Sequence, residues 1–139
     1  WASTGSRQPQ ERIKQKLATL SKEPDYVFLA MAYNDAGANM TLAETNFRES
    51  VALIRTLKPA AKIIVIGTAT PVGGTANLEA VTATIKSAAE DLGLPYVDMY
   101  EVVNARNATI YTSNDNTHPN DAGYGYRAYN LTEKLREVI

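Results

Sequence analysis

Apolar residues run almost unbroken from Asp25 to Met31 (Asp-Tyr-Val-Phe-Leu-Ala-Met), which predicts a strand buried on both faces of a parallel sheet. Lys62 to Gly67 predicts a second strand, with four β-branched residues in succession and a glycine to break it. Pro95 to Met99 predicts a shorter third. Helical periodicity fills the intervals. Ile13, Leu17 and Leu20 recur on one stripe after Pro9, and Phe47, Val51, Ile54 and Leu57 on another that stops near Pro59. Thr41-Leu42-Ala43-Glu44 reads as the capping box that opens this second helix. Leu78, Val81, Ile85, Ala88 and Leu92 form a third stripe, closed by Gly93, and Ala128, Leu131, Leu135 and Val138 a last one. The start of that last helix is hard to place, because Gly123 and Gly125 interrupt it.

Strands alternating with helical crossovers predict an α/β domain with a parallel sheet and right-handed connections. The 139 residues suit a single domain, 1–139, without internal repeat or linker. The polar stretch from Asn104 to Gly125 reads as a long loop rich in Asn, Asp and Tyr, at the edge where such folds keep their sites.

Charge and composition remove several function classes. Fourteen Lys and Arg against fifteen Asp and Glu leave a net charge of -1, so nucleic acid is not an expected partner. No apolar run reaches the length of a membrane span, so no membrane partner is expected either. Residues 1 to 10 have neither the basic start nor the apolar core of a targeting segment. Cysteine is absent, which excludes disulfides, thiolate metal sites and Cys nucleophiles. That zero leaves the compartment open, with a secreted or extracellular setting slightly favoured.

Two short stretches could carry chemistry. Ala32-Tyr33-Asn34-Asp35 follows the most apolar strand, where the Asn34 amide can point at a developing oxyanion; alternatively, Asn-Asp simply turns the chain. Asp115-Asn116-Thr117-His118-Pro119-Asn120 precedes the last helix and holds the only histidine. Asp115 can orient His118 through one ring nitrogen and leave the other as a general base; alternatively, Asp115 makes an Asx turn and His118 is a surface residue. One His with scattered carboxylates gives no metal-ligand spacing, so no metal is expected.

Taken together, x-x-N-D after a buried strand and D-x-x-H-P-N before a closing helix resemble the SGNH or GDSL hydrolase family. Its third block, G-x-N-D, matches at Asn34 and Asp35; its last, D-x-x-H, matches fully at Asp115 and His118. Ala2-Ser3-Thr4-Gly5 looks like its second block. The resemblance implies a flavodoxin-like three-layer α/β/α fold with five strands, of which this chain supplies the last three. It also implies ester hydrolysis through an acyl-enzyme, without metal or organic cofactor. His118 would be the base and Asp115 its orienter, with the Asn34 amide and the Gly5 N–H as the oxyanion hole.

Two departures qualify the match. Ala32 stands where the family has glycine, and no apolar strand followed by G-D-S is present. Ser3 and Ser6 have no strand before them, and Ser21, Ser50, Ser87 and Ser113 fall in helices or polar loops. The nucleophile is therefore expected from a preceding segment of the same protein or a separately cleaved chain, and the 1–139 domain is expected to be incomplete on its N-terminal side. The strand from Tyr26 to Met31 would otherwise be an apolar edge. The expected substrate is an acylated carbohydrate, most simply an O-acetyl ester. Tyr100, Tyr111, Tyr124 and Tyr126 suit stacking on sugars, although ordinary packing would use them equally well. The rivals are a catalytically inactive carbohydrate-binding or structural module of the same fold, and a flavodoxin-like nucleotide binder. The latter lacks a glycine-rich phosphate loop after any strand.

Overall fold

The computed structural model describes residues 9–31, 39–68, 76–100, 102, 108–113 and 118–139. Within them α1 (Pro9–Ala18), β1 (Tyr26–Ala30), α2 (Met40–Leu57), β2 (Lys62–Ile66), α3 (Ala76–Asp91), β3 (Tyr96–Val97), α4 (Ala108–Tyr111) and α5 (Asp121–Arg136) follow in order. The strands pair in parallel as β1-β2-β3, with Tyr26 opposite Lys62, Ala30 opposite Ile66 and Val65 opposite Tyr96.

Alternation along β2 divides the core into two layers. Ile63 and Val65 face Leu17 of α1, Phe47, Val51 and Ile54 of α2, and Val81, Ile85 and Ala88 of α3. Ile64 and Ile66 face the other way, against Val97, Met99, Leu131 and Leu135. Helices thus cover both faces of the sheet, the three-layer arrangement that the family resemblance implies.

Several local expectations are corrected. Thr41 does not cap α2: the N-cap is Asn39, whose side-chain oxygen accepts from the Thr41 N–H at 2.9 Å. Asn accepts as well as Thr and sits two residues earlier, so Thr41 falls inside the first turn and Glu44 pairs with Arg48 instead. Leu20 lies beyond the end of α1, and both it and Leu57 are exposed. The stretch 104–125 is not one loop, since α4 interrupts it and α5 starts at Asp121, carrying both glycines within it. Gly93 follows α3 with φ of +64°, a left-handed stop that favours glycine.

β1 is an edge strand among the described residues, and Phe28 on it is 45% exposed although its sequence is that of a central strand. Its ring stacks on Tyr26, with centroids 6.3 Å apart. No helix among the described residues is long and apolar enough to cross a membrane.

Candidate active site

The direction of α5 decides which end of the sheet receives His118. Tyr124, Arg127 and Ala128, in its first half, line a cleft with Ile66, Gly67 and Met99 at the carboxyl ends of β2 and β3. Val138 and Ile139, past its other end, line a cleft with Tyr26, Lys62 and Pro95 at the amino ends. The helix therefore runs antiparallel to the strands and begins at their carboxyl edge. His118, three residues before Asp121, stands at that edge and is exposed to solvent.

Its backbone is held by the segment that follows α4. The His118 carbonyl accepts two hydrogen bonds from Ser113, from the N–H at 2.8 Å and from the hydroxyl at 3.0 Å. Thr112 and Pro119 form an antiparallel bridge beside them. Asn120 completes the arrangement. Its side-chain oxygen accepts from the Gly123 N–H at 2.8 Å and caps α5. Its amide nitrogen donates to the carbonyls of Ile110 at 2.9 Å and Thr112 at 3.2 Å, and its N–H to Tyr111 at 3.1 Å. Gly123 allows this approach: a methyl group there would collide with the Tyr111 carbonyl oxygen and lie 2.9 Å from its carbon. Rings of Tyr111 and Tyr126 stack nearly parallel at 4.3 Å. These two tyrosines are engaged with each other, which is the packing alternative weighed above, whereas Tyr124 is exposed.

The end of β1 reaches the same sheet edge. Thr68, just past β2, donates its hydroxyl to the Met31 carbonyl at 3.1 Å and ties the two strand ends together. Met31 leads into the stretch containing Asn34, but Asn34, Asp115 and Gly5 lie outside the described residues. Of the four expected site residues, then, His118 alone is placed. Two serines are occupied with backbone: Ser50, fully buried in α2, donates to the Asn46 carbonyl, and Ser113 to that of His118. No group of three or more metal-ligating side chains occurs among the described residues.

Sequence reasoning missed Ser113 and Asn120. The signal for Asn120 was present, because an Asn directly before a helix and three residues before a glycine N–H has the spacing of an N-cap. Ser113 had no such local signal, since its partner is five residues away across a turn.

Comparison with known proteins decides the family. Residues 1–126 match the model of the GDSL-like lipase/acylhydrolase family. The chain belongs to that family. No curated protein matches the sequence. Solved structures of similar fold include a carbohydrate esterase family 3 protein from Talaromyces cellulolyticus (22% identity, TM-score 0.70, 93% of this chain and 64% of that one). A peptidoglycan O-acetylesterase superposes with TM-score 0.76 at 21% identity, over 93% of this chain and 41% of that one. A member of the lipolytic G-D-S-L family from Veillonella parvula does so with TM-score 0.70 at 20% identity, over 88% and 70% respectively. The chain thus spans less than two thirds of the length of the first two. These likenesses establish the SGNH hydrolase fold for this GDSL-family chain.

Proposed function

We propose that the chain is the C-terminal part of a serine ester hydrolase that removes O-acetyl groups from a carbohydrate. The observation that carries this reading is His118, held from behind by Ser113 and presented to solvent at the carboxyl edge of the sheet, in a chain of the GDSL family. A general base needs a fixed backbone and access to solvent, and His118, tied through its carbonyl to Ser113 and exposed, meets both. In the proposed reaction a serine from a preceding segment attacks the acetyl carbonyl as His118 takes its proton. Asp115 orients the imidazole, and the Asn34 amide and Gly5 N–H stabilise the oxyanion. The alcohol leaves with the proton from His118, and water then releases acetate by the same route in reverse.

The position of β1 at the sheet edge among the described residues, with Phe28 exposed on it, supports a further strand beside it, as the serine-bearing segment would provide. The carbohydrate preference draws on the two esterase structures of like fold, one of a carbohydrate esterase and one of a peptidoglycan O-acetylesterase. The test is turnover by the intact protein of acetylated xylan, O-acetylated peptidoglycan and a short-chain lipid ester. Acetate release from a polysaccharide is the expected result. Preference for the lipid ester would overturn the substrate class, and no release from any of them would favour the inactive module.

A further inference from the structure

We propose that Asn120 is the positioning residue of His118, acting through the 110–113 segment rather than on the substrate. The inference rests on the reading of His118 as the base and deepens it. Three carbonyls in succession, those of Ile110, Tyr111 and Thr112, accept from Asn120, two from its side chain and one from its backbone. The next residue is Ser113, and its N–H and hydroxyl both end on the His118 carbonyl. Asn120 therefore fixes the strut, and the strut fixes the base two residues upstream of Asn120 itself.

The capping bond from the Gly123 N–H joins this clamp to α5, so the sixteen-residue helix becomes its anchor. An imidazole on an exposed turn would otherwise sample several backbone orientations, and small misplacements of a reacting group are costly in rate. Asn suits the position chemically because its carboxamide accepts on one side and donates twice on the other. Ser or Asp could cap the helix equally well but could not make both donations. This separates helix capping from positioning.

The separating variant is Asn120→Ser in the intact protein, with Asn120→Ala for comparison. Three measurements are needed: the thermal midpoint, kcat and KM on a small acetyl ester, and the ring resonances of His118, assigned by their loss in His118→Gln. Asn120→Ser is expected to keep its thermal midpoint within about 3 °C while kcat falls about ten-fold with KM within two-fold, and the ring resonances move or broaden. Asn120→Ala should add a loss of stability. Ser113→Ala approaches the clamp from its other end, removing one of two donors, and should move the same resonances with a smaller loss of kcat. Wild-type resonances and kcat in both Asn120→Ser and Ser113→Ala would overturn the proposal, as would kcat losses that merely follow the unfolded fraction. Absence of turnover in the wild type would instead remove the reading of His118 as base, while the ring resonances would still decide whether Asn120 positions it.

Discussion

Ser113 donates to the carbonyl of His118 twice, from its N–H at 2.8 Å and from its hydroxyl at 3.0 Å. That relationship fixes the backbone of a residue that is exposed to solvent. It also engages the Ser113 hydroxyl as a donor to backbone.

If His118 is the base, its removal takes away the group that accepts the serine proton. His118→Ala in the intact protein is expected to abolish turnover of a small acetyl ester. Asn34→Ala should lower kcat by about 10²–10³ with KM changed far less, the usual loss for one oxyanion donor. Asp115→Ala should cost less than His118→Ala, because it orients the base without taking the proton. Equal activity with His118 replaced would refute the assignment.

Two glycines in α5 should respond in opposite directions. At Gly123 an added methyl meets the backbone of Tyr111, which cannot swing aside as a side chain could, and Gly123→Ala is expected to destabilise by about 2 kcal/mol or more. At Gly125 nothing lies within 4 Å of the added methyl. There, Gly125→Ala should stabilise by about 0.5–1 kcal/mol through helix propensity. Denaturant unfolding of the two variants checks both signs.

The cap of α2 offers a second pair. Asn39→Ala removes the acceptor of the Thr41 N–H and should cost about 1 kcal/mol. Thr41→Ala should change stability by less than about 0.5 kcal/mol, as at an ordinary exposed site. A larger loss from Thr41→Ala than from Asn39→Ala would restore Thr41 as the cap.

Tyr96 carries a buried hydroxyl with no hydrogen-bond partner among the described residues, pressed close to Gly67. Burial raises its pKa above the ordinary phenol value, and the carboxylates of Asp98 and Glu90 push it the same way. Folding thus favours the neutral phenol. Below the unfolded value near 10 the phenol is neutral in both folded and unfolded chains, and stability falls as pH rises from there through the raised folded value. Tyr96→Phe should be neutral to about 1 kcal/mol stabilising at neutral pH, since the unpaired hydroxyl is gone. It should also blunt the fall in stability above about pH 10. Unfolding midpoints of both proteins at pH 7 and pH 10.5 would test this, and an identical alkaline loss would argue against it.

Strand and helix identities were legible along the chain because burial writes them locally. The β-branched run at Ile63–Ile66 and the stripe of Phe47, Val51 and Ile54 could satisfy their apolar character only in the elements they form. The D-x-x-H pattern at Asp115 and His118, together with x-x-N-D at Asn34 and Asp35, was likewise enough to point to the GDSL family that the comparison establishes. Periodicity did not carry the ends of elements. The start of α5 was obscured because glycine reads as a helix breaker, whereas Gly123 is required where the helix meets the Tyr111 carbonyl, a contact twelve residues distant. Choosing Asn39 over Thr41 also depended on how the chain enters α2, not on either residue's propensity. Only the tertiary structure decided that α5 runs antiparallel to the sheet and that Ser113 and Asn120 hold the turn of His118. Those facts arise from hydrogen bonds between segments and from the packing of Leu131 and Leu135 on Ile64. A residue pattern states what must be buried or capped, but the partner that does so is selected by the geometry of the whole chain.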